Sequence, residues 1–257
     1  MKHVLFFKSI FVAAILMATG PVFADSGIKS AVGDVLQQEG RLARDMARDD
    51  MRKPDEILDF LGITPSMHVL DVLAGGGYYT EIFHRYLNDG GHVLMYNAPP
   101  YLGFAKDELA ERFADDRMSD IEQVITDIAD MNFEPESFDA VFFGLGFHDT
   151  YYVSDYWPAV DRDKFLKTLY DALKPGGVFG VTDHRSAPGA DPLQSGQLLH
   201  RIDPQVVIRD MEAAGFELIG ESDVLSRSDD DYSLSVFKPQ VRGKTDRFAL
   251  KFIKPGS

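Results

Sequence analysis

The chain has 257 residues, a formal net charge of −15, 45% hydrophobic and 26% charged residues, and no cysteine. This length and composition suit a folded domain with a substantial core, and the lack of cysteine excludes disulfides and thiolate metal sites. A surface this acidic repels phosphate backbones and anionic lipid, so we predict that nucleic acid is not a partner.

The N-terminal 24 residues have the pattern of a signal peptide. Lys2 and Lys8 flank the start of an apolar stretch at residues 10–17, and small residues stand at the usual cleavage offsets before Ala24. A permanent membrane anchor is the alternative, but the stretch is short and a glycine–proline pair interrupts its end. We predict cleavage after Ala24, export to the periplasm or the medium, and no stable membrane anchor in the mature protein.

The mature chain, residues 25–257, is predicted to be a single domain with a helical lead-in over residues 25–62. Residues 25–40 have a mixed sequence, and we expect them to be loosely packed. From residue 40 to residue 52, arginines and aspartates alternate with apolar residues, which predicts a charged amphipathic helix. A solvated face explains this dense charge, and a cap over a ligand site is the alternative.

A second helix is predicted over residues 55–61, because Pro54 stands at its start and Gly62 at its end. A short turn then leads to the first strand.

The stretch at residues 69–87 is the part of the chain around which the rest is organised. Residues 69–73 form an apolar, β-branched run broken only by Asp71, which predicts a buried strand. Three glycines follow at residues 75–77, and residues 78–87 show helical spacing. A strand, a glycine turn and a helix bind adenosine-bearing cofactors in open α/β sheets, because glycine permits close backbone approach and the helix N-terminus offers free N–H groups. A tight turn without a ligand is the alternative.

Strands and helices alternate along the remainder of the chain. The further predicted strands lie at residues 92–96, 121–125, 138–143, 178–182, 216–222 and 247–253, and the further helices at residues 105–113, 163–173 and 204–214. This alternation predicts a mostly parallel sheet with helices on both faces and an antiparallel last strand.

Three motifs resemble a known family. Residues 69–71 with the glycines at 75–77, residues 137–139 before an apolar strand, and residues 173–178 before another are similar to successive motifs of class I S-adenosylmethionine-dependent methyltransferases. The resemblance covers about residues 50–253. It implies an α/β, Rossmann-like, doubly wound sheet of seven strands, mostly parallel with an antiparallel last strand.

Residues 75–81 and 245–250 resemble, more narrowly, a group of exported predicted methyltransferases. The resemblance implies methyl transfer from S-adenosylmethionine to a small-molecule acceptor that the sequence does not identify. A non-catalytic ligand-binding protein on the same fold is the alternative. The sequence does not predict an oligomeric state.

The resemblance also implies a set of cofactor-binding residues. The set comprises Asp71, Gly75, Gly76, Gly77, Asn97, Asp127, Ile128 and Gly144. Asp71 and the glycines match the loop around the methionine moiety, and Asn97 stands where the family has an acid that binds the ribose. Asp127 and Ile128 match the adenine contacts, and Gly144 would line the reaction chamber. The chain departs from the family pattern at Asn97 and at Leu73, where the first glycine would stand.

Two histidines are the predicted catalytic residues. His148 and His184 follow the fourth and fifth strands, and the ligand site of an open α/β sheet lies outside the carboxyl ends of its strands. Either imidazole could take a proton from the acceptor. Each could instead hydrogen-bond a loop, and a metal site that adds Asp149, Asp183 and His200 is a further alternative. No short metal-binding motif is present, so we predict no metal.

Overall fold

A seven-stranded sheet runs through the computed structural model, which describes residues 27–256. Its strands are β1 (His68–Val72), β2 (His92–Asn97), β3 (Glu122–Ile125), β4 (Phe138–Gly144), β5 (Leu173–His184), β6 (Glu217–Ser222) and β7 (Arg247–Ile253). The order is β3-β2-β1-β4-β5-β7-β6. All neighbours are parallel except β7, which is antiparallel to both β5 and β6. The predicted fold class is therefore confirmed.

Helices cover both faces of this sheet. They are α1 (Ile28–Leu36), α2 (Ala43–Met46), α3 (Asp49–Arg52), α4 (Pro54–Leu61), α5 (Tyr78–Tyr86), α6 (Leu102–Arg112), α7 (Arg162–Ala172), α8 (Pro192–Leu199) and α9 (Pro204–Ala213). Short 3-10 helices lie at Pro99–Tyr101, Ala114–Asp116, Ile128–Asp130 and Phe147–Tyr151. Local sequence explains several helix starts: α8 and α9 begin at a proline, and the preceding aspartates, Asp191 and Asp203, accept hydrogen bonds from N–H groups of the first turn.

The hydrophobic core forms one layer on each side of the sheet. Phe165 and Leu169 of α7 pack with β4 and β5 on one side, and Leu58 of α4 and Phe83 of α5 pack with β1 and β4 on the other. Each such fully buried side chain contributes about 1.5–3 kcal/mol. The strand order reverses between β1 and β4, so the carboxyl ends of these two strands frame the crevice in which open sheets bind ligands.

The N-terminal segment differs from the prediction. Residues 28–36, expected to be loosely packed, form α1 and bury Ile28, Val32 and Val35 against the core. The single amphipathic helix predicted over residues 40–52 is two short helices, α2 and α3. Its charged face is not fully solvated, because Asp45 is only 2% exposed. Hydropathy spacing could not show this burial, since the partner that makes it possible lies in α6.

Two further helices were not predicted. Neither the 3-10 helix at Phe147–Tyr151 nor α8 is among the helices predicted from the sequence. These two elements pack together closely: a Cβ at Gly196 of α8 would lie 3.0 Å from the carbonyl oxygen of His148. Gly196 therefore allows α8 to support the segment that follows β4.

No helix within residues 27–256 is both long enough and apolar enough to span a membrane. The predicted signal peptide, residues 1–24, lies outside the described residues.

Candidate active site

The loop after β1 has an unusual backbone. Leu73, Gly75 and Gly77 all have positive φ, at 49°, 59° and 77°. Glycine adopts this left-handed region freely, whereas a residue with a Cβ gives up about 1–2 kcal/mol there. Leu73 offsets that strain because its side chain is buried in the core. The loop thus keeps a glycine-like path even where the first glycine of the family is missing.

Asn97 holds this loop at the end of β2. Its Oδ1 accepts a hydrogen bond from the Gly75 N–H at 2.8 Å, and its Nδ2 donates to the Gly75 carbonyl at 3.0 Å. The side chain is 2% exposed. Both polar atoms of the amide are therefore engaged by Gly75.

Asp71 and Gly77 also stabilise the loop, through contacts at the start of α5. The buried Asp71 carboxylate accepts a hydrogen bond from the Thr80 hydroxyl at 2.6 Å, and burial raises its pKa to about 7. Gly77 is the N-cap of α5, and a Cβ there would lie 3.0 Å from Cδ of Arg112. Both residues act on the shape of the loop.

A cavity of about 690 Å³ opens over the carboxyl ends of β1, β4 and β5. This volume is within the range of about 300–1,000 Å³ that is usual for small-molecule and cofactor sites. Its lining includes Arg48, Met51, Arg52, Leu73, Gly75, Gly76, Tyr101, Phe104, Gly144, His148, Trp157, His184 and Arg247.

The cavity brings together some of the predicted site residues and not others. Gly75, Gly76, Gly144, His148 and His184 line it. The remaining predicted residues are outside the lining; they are Asp71, Gly77, Asn97, Asp127 and Ile128. The five lining residues come from the ends of three strands, as expected for a site at the carboxyl edge of the sheet.

His148 is held between two carboxylates. Its Nδ1 lies 2.8 Å from Oδ1 of Asp183, and its Nε2 lies 3.3 Å from Oδ1 of Asp149. Burial opposes a charge on the ring, but the two carboxylates outweigh it and raise the pKa of His148 to about 9. At neutral pH the ring is therefore protonated and cannot accept a proton from a substrate.

His184 is in the opposite electrostatic situation. Burial lowers the pKa of His184 well below its usual value, and the positive charge of Arg247 adds to the effect. Its Nδ1 lies 2.7 Å from the Thr245 hydroxyl oxygen, which leaves Nε2 as the nitrogen without a bond among residues 27–256. Of the two predicted catalytic histidines, His184 is the one that is neutral and able to take a proton.

Asp149 connects His148 with two more side chains. It accepts a hydrogen bond from the Tyr101 hydroxyl at 2.5 Å, and Nδ1 of His200 lies 3.7 Å from its Oδ1. One donor atom each from His148, Asp149 and His200 lies within 4.8 Å of the others, an arrangement that could hold a metal ion. The Asp183 carboxylate at Nδ1 of His148 is also the kind of partner that orients a metal-binding histidine, so a metal site at these three residues stays a hypothesis.

The segment α2–α3 covers the cavity. For this charged segment the sequence left two interpretations open, a solvated face and a cap over a ligand site, and the structure agrees with the cap. Arg112 of α6 is fully buried and pairs with Asp45 at 2.7 Å and with Glu81 of α5. Its Nε also donates to the Gly76 carbonyl at 2.5 Å. One guanidinium thereby joins the cap, α5 and the glycine loop.

Sequence reasoning missed the cap residues that line the cavity, Arg48, Met51 and Arg52. The cap is fixed to α5 by two tyrosines: the Tyr78 hydroxyl donates to Asp49 at 2.7 Å, and the Tyr79 hydroxyl donates to the Arg52 carbonyl at 2.9 Å. The alternation of arginine and aspartate in this segment was the available signal, but it did not show which residues face inward.

Part of this chain is similar in sequence to known methyltransferases. Residues 70–181 match the family model described as a methyltransferase domain. A ubiquinone/menaquinone biosynthesis C-methyltransferase of Vibrio campbellii is 27% identical over 137 residues, which are 53% of this chain and 48% of that protein. The chain thus spans about half the length of the curated relatives that it matches.

Solved structures resemble almost the whole described chain. A SAM-dependent methyltransferase from Aquifex aeolicus superposes with a TM-score of 0.56 at 15% identity, covering 88% of this chain and 98% of that one. Phosphoethanolamine N-methyltransferase 2 of Haemonchus contortus, solved in complex with S-adenosyl-L-methionine, has a TM-score of 0.54 at 17% identity and covers 87% of this chain and 60% of that one. At these identities the likeness establishes the fold.

Proposed function

We propose that this chain is a class I S-adenosylmethionine-dependent methyltransferase and that it methylates a small-molecule acceptor bound in the cavity. The observation that carries the proposal is that the open backbone of Gly75 and Gly76 lines the same cavity as the neutral imidazole of His184. A cofactor surface and a candidate proton acceptor thereby share one cavity.

The glycine loop fits the methionine end of S-adenosylmethionine. Gly75 has positive φ, and a Cβ at Gly76 would lie 2.7 Å from Cβ of Glu108, so a side chain is disfavoured at both positions. The bound cofactor supplies a methyl group activated on a sulfonium centre. Gly75 and Gly76 would hold it, while Tyr101 and Trp157 wall the cavity and exclude water.

The chain's own chemical contribution is orientation and removal of one proton. Methyl transfer by in-line displacement forms one bond to the acceptor atom and breaks the carbon–sulfur bond, so it needs alignment above all. An acceptor hydroxyl or amine must also lose a proton, and Nε2 of His184 would receive it. His148, protonated between Asp149 and Asp183, would hold the segment that follows β4 in place.

The aromatic part of the cavity wall favours a flat acceptor ring. Tyr101 and Trp157 pack with their ring centroids 5.3 Å apart, and the exposed ring of Phe104 lies beside Tyr101. The matched relatives are named for C-methylation in ubiquinone/menaquinone biosynthesis, and an aromatic acceptor would suit such a wall.

Export is part of the proposal and rests on the sequence of residues 1–24. A methyltransferase outside the cytoplasm needs a supply of cofactor there. N-terminal sequencing of the protein from a periplasmic or culture-medium fraction tests this point: a start at Asp25 supports export, and an intact Met1 in the cytoplasmic fraction contradicts it.

A non-catalytic ligand-binding protein is the second candidate, and one observation favours it. Both polar atoms of Asn97 are bonded to Gly75, and Asp127 is exposed outside the cavity lining. The parts of the family site that hold ribose and adenine are thus not open to the cavity in this arrangement. This candidate predicts a cavity ligand but no affinity for S-adenosylmethionine.

Equilibrium dialysis with labelled S-adenosylmethionine separates the two candidates. Gly75→Asp places a carboxylate on the loop, and Gly176→Asp is a matched control, because Gly176 is an exposed, positive-φ glycine with no atom near its Cβ position. We expect wild type and the control to bind with a micromolar Kd, about −8 kcal/mol, and Gly75→Asp to lose binding. No wild-type binding at millimolar cofactor would overturn the proposal.

A further inference from the structure

Two arginines that line the cavity have no carboxylate partner among residues 27–256. They are Arg52, the last residue of α3, and Arg247, the first residue of β7. Within residues 27–256 neither forms an ion pair. Both charges are therefore available to a ligand.

Arg247 is buried with an incomplete set of hydrogen bonds. It is only 6% exposed; its Nη1 donates to the Met51 carbonyl at 3.2 Å, and its buried Nε has no partner among the described residues. Burial lowers the pKa of Arg247 to about 10, and the neighbouring charge of Arg52 acts in the same direction. A buried donor without an acceptor is costly, so this group is poised for an acceptor that arrives with a ligand.

Arg52 is positioned by aromatic rings rather than by an acid. Its guanidinium lies 4.4 Å from the centroid of the Tyr78 ring and 6.0 Å from that of Tyr79. This stacking fixes the plane of the guanidinium while leaving its N–H groups without a hydrogen-bond partner in the described chain.

Two other buried arginines are paired with carboxylates. Arg112 pairs with Asp45 and Glu81, and Arg201 forms a two-bond pair with Asp230 at 2.7 and 3.1 Å. The fold therefore supplies carboxylates to the buried arginines that it uses for structure. Among the described residues, Arg52 and Arg247 have no paired carboxylate, and this distinguishes them from Arg112 and Arg201.

We propose that Arg52 and Arg247 form a subsite for a carboxylate group inside the cavity. A planar guanidinium offers two parallel N–H donors to a carboxylate, and two such groups without an ion-pair partner among residues 27–256 provide both the charge and the geometry. In the β5–β7 register Arg247 stands opposite His184, so the bound carboxylate would lie close to the proposed proton acceptor.

This inference rests on the proposed function. Within that function the carboxylate can belong to either of two molecules. One source is the α-carboxylate of the cofactor, because Tyr78, under Arg52, directly follows the glycine loop. The other is an acidic acceptor, because Arg247 is beside His184. The chemistry of recognition is the same for both.

Binding measurements with three probes test the subsite and distinguish the sources. S-adenosylhomocysteine carries the α-carboxylate, 5′-methylthioadenosine has the same nucleoside without it, and benzoate has a carboxylate alone. The variants are Arg52→Met and Arg247→Met, and the control is Arg209→Met, whose exposed side chain lies on α9 away from the cavity.

For the cofactor source, we expect both variants to lose about 10- to 100-fold in affinity for S-adenosylhomocysteine and to keep their affinity for 5′-methylthioadenosine. For an acidic acceptor, we expect benzoate to raise the Tm of wild type and of the control but not of either variant. Unchanged binding of both carboxylate probes in the variants, or no binding of either carboxylate to wild type, would overturn the subsite.

Failure of the proposed function would look different. If wild type binds neither nucleoside but benzoate binding depends on the two arginines, the methyltransferase proposal fails and the subsite stands. If Arg247→Met does not fold, Arg247→Lys can replace it. Lysine keeps the positive charge but lacks the two parallel N–H donors of the guanidinium, so we expect an intermediate loss of carboxylate affinity.

Discussion

The environment of His148 predicts that the protein loses stability as the solution becomes alkaline. The pKa of this ring is raised to about 9 by Asp183 and Asp149 against the opposing effect of burial, whereas it is 6.5 in an unfolded chain. A group with a raised folded-state pKa contributes its full stability below the unfolded pKa. That contribution is lost as the pH rises through the folded pKa.

The size of the effect follows from the shift. Between pH 6.5 and about 9 the unfolded chain has released the proton and the folded chain has kept it, so the free energy of unfolding falls by about 1.4 kcal/mol per pH unit. The total loss is therefore about 3 kcal/mol. For comparison, whole domains are stable by only about 5–15 kcal/mol.

Urea unfolding between pH 6 and pH 10 measures this loss, with His148→Gln as the matched variant. Three other buried groups also titrate, among them Arg247, whose pKa burial lowers to about 10. The lowered pKa of His184 removes stability below pH 6.5, and the raised pKa of Asp71, about 7, removes stability as the pH rises from 3.8 to 7. Wild type and His148→Gln contain all three of these groups, so the difference between the two proteins reports the titration of His148. We expect that difference to shrink by about 3 kcal/mol from pH 6 to pH 10, and a flat difference would refute the reasoning about His148.

Three further predictions address the loop, the cap and the chemistry. Asn97→Asp removes the donor to the Gly75 carbonyl in a buried site, so urea unfolding should show a loss of about 2 kcal/mol; unchanged stability with tighter S-adenosylmethionine binding would contradict the clamp. Asp45→Ala leaves the buried Arg112 without its partner on the cap, and we expect a loss of about 3 kcal/mol together with weaker cofactor binding; stability equal to wild type would contradict the anchoring role. His184→Gln should lower kcat by at least about 100-fold with any acceptor that wild type methylates, while the Kd for S-adenosylmethionine stays unchanged; wild-type kcat would exclude His184 as the base.

The sheet could be predicted because its information is local. Apolar runs such as that of β4, glycine turns, and the alternation of strands with helices are each visible within a few residues. The glycine loop and its position at the carboxyl edge of the sheet followed from the same patterns.

The cap and the charge states could not be predicted, because they depend on residues far apart in sequence. Asp45 is buried only because Arg112 meets it. His148 and His184 each stand next to an aspartate in the sequence, yet the Asp183 carboxylate bonds the ring of His148 and not that of its neighbour. Opposite pKa shifts then follow from tertiary contacts that the sequence pattern does not contain.

The central claim is that the cavity over Gly75 and Gly76 binds S-adenosylmethionine, and a calorimetric titration of the purified protein tests it most directly. The cofactor and S-adenosylhomocysteine should each bind saturably, with one molecule per chain and a Kd in the micromolar range, about −8 kcal/mol. No heat and no thermal shift with either compound at millimolar concentration would contradict the claim and leave the cavity to another ligand.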